Sequence, residues 1–194
     1  MKLKGGSLTV NEIKQLLEAS YNPDAPKELL GYTLDEKLSN LYGKVYFNNE
    51  IKKVVIAYRG TGSENNGEDW ANNAVYVANS SAYKLTTRYK TAEDMTNKAL
   101  KKYKGYQFES VSHSQSGIIA HLLNSKKVMN VIQLNPAYKD EQLSNNEYII
   151  RSSGDLVSAL TVPKKMLSGL LYPSWTKVHI RVIPAKTNSA ITEH

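Results

Sequence analysis

Apolar residues recur along this chain at two spacings, and the alternation between them divides it into elements. Val10, Ile13, Leu16 and Leu17 fall at helical intervals and predict a helix over 8–20, with Thr9 or Asn11 available to cap it. Two β-rich runs, 44–50 and 51–58, flank an Asn-Asn pair and predict a hairpin. The second run is apolar on both faces from Val54 to Ala57, as expected of a strand inside a sheet. A polar, glycine-containing loop is expected over 59–70. A helix follows over 86–103, with Ala92, Met95, Ala99 and Tyr103 on its inner face. Beyond it the pattern predicts a strand over 106–112, a helix over 115–124, and strands over 128–134, 147–152 and 176–183. Asn135-Pro136 and Pro184 stop two of those strands. Strands alternating with helices imply βαβ units and a largely parallel sheet, an α/β fold. No repeat, low-complexity tract or linker divides residues 1–194, so one domain is expected.

Composition narrows the class without naming a function. Hydrophobic residues make up 41% of the 194 and charged residues 22%, ordinary values for a globular protein with a core of its own. The absence of cysteine excludes disulfides, thiolate metal sites and cysteine catalysis. No apolar run approaches the ~18 residues of a membrane span, and no apolar stretch follows the charged segment 1–7. A soluble protein is therefore expected, cytoplasmic or virion-associated. The net charge of +7, from 25 basic and 18 acidic residues, favours contact with an anionic surface. The basic residues are dispersed, and the densest group (Lys98, Lys101, Lys102, Lys104) suits a solvated helix end, so nucleic acid is not the expected partner. No metal or nucleotide motif is present, and no cofactor is expected.

The segment that carries chemistry is 110–120, Ser-Val-Ser-His-Ser-Gln-Ser-Gly-Ile-Ile-Ala. A strand runs into a turn of small residues and out into an apolar helix. That is the setting of a nucleophile elbow, in which a tight turn lifts one serine, here Ser114, off the sheet edge. The helix start beneath it favours developing negative charge. In the pattern G-x-S-x-G, Ser112 and Ser116 stand at the glycine positions. A serine-rich turn that only caps the helix would give the same letters.

Two further segments lie upstream in order: Tyr58-Arg59-Gly60-Thr61 after a buried strand, then Asp69-Trp70-Ala71-Asn72. Together with 112–117 they resemble the class 3 lipase family, which carries an [FY]-R-G-[ST] strand end, a D-W-x-x-N segment and a G-H-S-L-G-G elbow. The resemblance extends over most of the chain. It implies a compact α/β-hydrolase fold with a mostly parallel central sheet flanked by helices, and cleavage of carboxylic esters, small or lipid, through an acyl-enzyme. It matches Ser114 to the nucleophile. It also implies an oxyanion hole made by the backbone N–H of Gln115 and by Thr61, with Arg59 and Asp69 ordering the loop that carries Thr61.

The hydrolase order of nucleophile, acid and base leaves four histidines to consider. His113 adjoins Ser114 and points away from it, and His121 lies two turns down a helix. His179 falls inside the last strand. His194, beyond that strand and in the segment Ala190-Ile191-Thr192-Glu193-His194 that resembles the family's, is the expected base, with His179 as the alternative. The expected acid is Asp155, shortly after the strand over 147–152, with Asp140 as competitor and helix capping as its other reading. Met166, Leu167, Leu170 and Leu171 border an acyl pocket or simply pack the core. The replaced elbow glycines also admit a hydrolase fold that has lost catalysis and serves a structural or binding role, for example in a virion.

Overall fold

Thr9 opens the first helix, α1 (Val10–Tyr21), with a capping box: its hydroxyl accepts the Glu12 N–H at 3.3 Å, and its own N–H donates to the Glu12 carboxylate at 2.5 Å. The computed structural model describes residues 8–60, 83–124, 129–136, 146–152 and 179–183. Ile13, Leu16, Leu17 and Ala19 form the buried face of α1. The second helix, α2 (Thr87–Lys102), is capped by the Thr86 hydroxyl, which accepts the Tyr89 N–H, and buries Ala92, Met95 and Ala99. The third, α3 (Ser116–Leu123), is buried from Ser116 to Ala120. Among the described residues no helix is long and apolar enough to cross a membrane.

Among the described residues, eight strands form one sheet in sequential order: β1 (Glu28–Leu29), β2 (Tyr32–Leu34), β3 (Gly43–Asn48), β4 (Lys53–Tyr58), β5 (Gln107–His113), β6 (Asn130–Leu134), β7 (Glu147–Ser152) and β8 (His179–Ile183). The pairings from β4 to β8 are parallel, as the alternating pattern predicts. Those from β1 to β4 are antiparallel, so the first part of the sheet is a meander built onto the predicted β3–β4 hairpin. At that hairpin the Asn48 side chain accepts the N–H groups of Glu50 and Ile51, an Asx turn that closes the loop.

Period-two alternation along the strands divides the core between two faces. Val54, Ile56 and Tyr58 of β4 pack with Ala92, Met95 and Ala99 of α2 and Ile118 and Ile119 of α3. Val55 and Ala57 face the other way, with Tyr46, Val111 and Ile132, against Ile13, Leu16 and Leu17 of α1. Helices therefore cover both faces, which is why β4 reads as a continuous apolar run. Each large apolar side chain so buried contributes about 1.5–3 kcal/mol.

Two carboxylates inside this frame have cationic partners. Lys53 and Glu109 form a buried ion pair at 2.5 Å between β4 and β5. Asp35 accepts hydrogen bonds from Lys102 Nζ (2.5 Å) and Tyr103 Oη (2.8 Å), tying the residue after β2 to the end of α2. Burial alone would raise the Asp35 pKa, but the hydrogen bonds from Lys102 and Tyr103 outweigh it and hold the carboxyl below its ordinary value. A lowered folded pKa contributes stability above the unfolded value and loses it as pH falls through the folded one. Asp35→Asn is therefore expected to lower stability at pH 7 and to flatten the loss of stability below about pH 4 in thermal melts.

Candidate active site

The parallel strands end along one edge of the sheet, where α/β proteins place their ligands. Register aligns Tyr58 of β4 with Ser112, His113 of β5 with Leu134 of β6, and Leu134 with Ile150 of β7. Ser114 leaves β5 at this edge and α3 starts two residues later. Its φ is +54°, in the left-handed region that side chains with a Cβ avoid by about 1–2 kcal/mol. The bend is held on both sides. Ser114 N–H donates to Leu134 O at 3.2 Å, and Ser114 O accepts Gly117 N–H at 3.1 Å. Ser112, His113, Gln115 and Ser116 are buried, whereas Ser114 is only half-buried.

The two serines at the glycine positions have different surroundings. Ser112 Oγ lies 3.5 Å from Ile132 O, a long contact. Ser116 Oγ accepts His113 N–H at 3.0 Å and lies 3.0 Å from Tyr58 O and 2.9 Å from His113 O, with one hydroxyl proton to serve those two carbonyls. A serine here thus fastens the bend to the end of β4. The position that demands glycine is the next one. A Cβ on Gly117 would lie 2.6 Å from Pro136 Cβ and 2.7 Å from Gln133 Oε1. Gly117→Ala is expected to push α3 off the end of β6, lowering stability by about 1–3 kcal/mol in chemical denaturation.

The end of β4 presses on the same bend. A Cβ on Gly60 would collide with Tyr21 Oη and sit 2.6 Å from His113 O. Tyr21 Oη is 3.0 Å from His113 Nδ1, and the Arg59 guanidinium lies over the Tyr21 ring at 5.7 Å. From α2, buried Arg88 donates through Nη2 to Gly60 O at 2.9 Å and to Arg59 O, while its guanidinium lies 5.2 Å over the Tyr42 ring. Arg88 thus clamps the two residues before Thr61. Its sequence signal is a cation in the first turn of a helix, against the macrodipole. It also lies in register with the inner-face residues Ala92, Met95 and Ala99.

No protein-family model matches this sequence, and the search of curated proteins found no match. Solved structures do match. Lip2 lipase from Yarrowia lipolytica superposes with a TM-score of 0.52 at 14% identity, over 78% of this chain and 72% of that one. A triacylglycerol lipase from Penicillium expansum gives 0.51 at 14% identity, over 98% and 83%. A Rhizomucor miehei lipase–propeptide complex gives 0.51 at 15% identity, over 85% and 70%. The fold is that of the fungal lipases. The compact α/β-hydrolase architecture implied by the sequence motifs is therefore present, with identity too low to carry more than the fold.

Within this lipase fold the predicted site residues divide into two groups. Ser114 stands at the bend, and Gln115, fully buried, precedes the first residue of α3. Thr61, Asp155 and His194 lie outside the described residues, as do Asp69, Trp70, Asp140 and the Met166–Leu171 segment. His113 is engaged by Tyr21. His121 Nδ1 lies 2.9 Å from Glu147 Oε2, at the start of β7 and so at the edge of the sheet remote from Ser114. His179 is the first residue of β8, four residues and about 13 Å of strand short of the Ser114 edge.

Proposed function

We propose that the chain is a serine hydrolase of carboxylic esters, lipid esters among them, with Ser114 as nucleophile. The observation that carries this reading is the left-handed, half-exposed serine at a strand-to-helix bend on the carboxyl edge of a parallel sheet. Strain at one residue, held by hydrogen bonds on both sides, is a recurrent mark of a functional position. A serine that merely capped α3 would adopt extended backbone and accept an N–H from the first turn.

In this reading Ser114 Oγ attacks the ester carbonyl carbon while its proton passes to the His194 imidazole. The carbonyl oxygen becomes an oxyanion facing the Gln115 N–H and Thr61. Collapse breaks the bond to the alcohol, which leaves with the proton from His194, and a serine ester remains. Water, deprotonated by the same imidazole, releases the acid and restores the serine. Asp155 orients the imidazole and stabilises its charged form. Its sequence position supports this role, because β7 ends at Ser152 on the Ser114 edge, three residues earlier.

The base assignment separates cleanly by experiment. His194→Ala is expected to lower nitrophenyl-ester turnover by roughly 10⁴-fold, and His179→Ala to leave it within a few-fold. The reverse pattern in steady-state kinetics would transfer the role to His179.

A further inference from the structure

Gly60 is held from two directions. On one side stand Tyr21 Oη and His113 O; a Cβ would collide with the first and lie 2.6 Å from the second. On the other, buried Arg88 of α2 donates through Nη2 to Gly60 O at 2.9 Å and to Arg59 O. Nη2 carries two hydrogens, one for each carbonyl. The guanidinium is itself seated, with its carbon 5.2 Å from the centre of the Tyr42 ring. His113 immediately precedes Ser114, so this grip adjoins the bend.

We propose that Arg88 is a positioning residue for ester hydrolysis: it grips, by the carbonyl, the peptide group whose N–H is the second oxyanion donor. The role rests on the ester-hydrolase reading. A trans peptide group is planar, so Gly60 O and the N–H of the following residue share one plane and point in opposite directions. A hydrogen bond that fixes the carbonyl therefore fixes the direction of that N–H. The second bond, to Arg59 O, fixes the preceding peptide plane as well. With both planes held, the glycine between them loses the rotational freedom that its missing Cβ would otherwise allow. A cation on the carbonyl also polarises the peptide, which makes its N–H the stronger donor to developing negative charge. Donors set before the reaction cost no reorganisation when the oxyanion forms. Attachment of α2 to the sheet does not depend on this arginine. Tyr58 Oη and Thr96 Oγ1 already join α2 to β4 at 2.7 Å, and Ala92, Met95 and Ala99 pack beneath. What Arg88 adds is control of the two carbonyls.

The test compares wild type with Arg88→Lys, Tyr42→Leu and the control Thr96→Val, which removes the other buried bond between α2 and β4. Arg88→Lys keeps the charge and loses the planar fork. Tyr42→Leu removes the ring under the guanidinium and leaves the cation. Three readouts are taken: nitrophenyl butyrate kinetics, inhibition by a trifluoromethyl ketone with the same acyl chain, and inhibition by the matching ether, which has no carbonyl. Ser114 Oγ adds to the ketone carbon, its proton passes to the base, and the ketone oxygen becomes an oxyanion like that of the reaction. Arg88→Lys is expected to lower kcat and ketone affinity at least tenfold, with KM and ether affinity within about twofold. Tyr42→Leu is expected to shift the ketone-to-ether ratio in the same direction by about threefold. Thr96→Val is expected to lower Tm and to leave all three readouts within about twofold. A folded Arg88→Lys with wild-type kcat and ketone affinity overturns the proposal, as does an equal loss for ketone and ether, or the same ketone loss in Thr96→Val. If Arg88→Lys does not fold, an unchanged ratio in Tyr42→Leu overturns it. A wild type that neither cleaves the ester nor binds the ketone overturns the hydrolase reading and this role together, whereas an active wild type with indifferent Arg88 and Tyr42 variants overturns this role alone.

Discussion

Ser114→Ala is expected to lose ester turnover by about 10⁴–10⁶-fold and to leave binding of a non-hydrolysable ester analogue within a few-fold. The size of the loss follows from removing the atom that forms the acyl-enzyme, after which only the binding and oxyanion groups act. The same position carries a stability signature that a surface serine would not have. At φ +54° alanine keeps the Cβ strain and glycine relieves it. Ser114→Gly is therefore expected to be more stable than Ser114→Ala by about 1 kcal/mol, while being equally inactive. Steady-state assays paired with urea unfolding read both effects. Equal turnover in wild type and Ser114→Ala would leave the fold without catalysis at this serine, the structural or binding role that Ser112 and Ser116 also admit.

Lys53→Met is expected to destabilise the protein by about 3–5 kcal/mol, the largest loss from any single side chain considered. The lysine ammonium lies 2.5 Å from the Glu109 carboxylate, with both side chains almost wholly buried between β4 and β5. Removing the cation leaves the Glu109 carboxylate in the interior without the Lys53 charge that offsets its desolvation. For a chain of this size that corresponds to a fall in Tm of roughly 6–20 °C. The double variant Lys53→Met/Glu109→Met is expected to recover most of it, because two packed apolar groups avoid the penalty on both ions. A single variant that melts with wild type would mean that water reaches the pair.

The elements legible in the sequence are those whose periodicity is set by burial. β4 is covered by helices on both faces and reads as an apolar run; α2 shows one stripe, Ala92-Met95-Ala99, because one face meets the sheet. β1 and β2, two and three residues long, are too short to show a period, so the antiparallel meander is legible only as its β3–β4 hairpin. The strand-turn-helix at Ser114 is legible because small residues cluster there. Which of them permits close approach is not, since this depends on what lies opposite. Pro136 and Gln133 decide it at Gly117, while the Ser116 hydroxyl accepts the His113 N–H and faces the carbonyls of Tyr58 and His113. Arg88 and Tyr21 escape local reading for the same reason. Their partners, Gly60 and His113, are respectively 28 and 92 residues away in sequence.

The most direct test is to label the native protein with a fluorophosphonate and locate the adduct by peptide mass spectrometry. One phosphonyl group on Ser114, formed under native conditions and prevented by prior unfolding, is the expected result. A native protein that takes no label, or carries it on Ser110, Ser112 or Ser116 instead, would contradict the assignment of Ser114 as the reactive group.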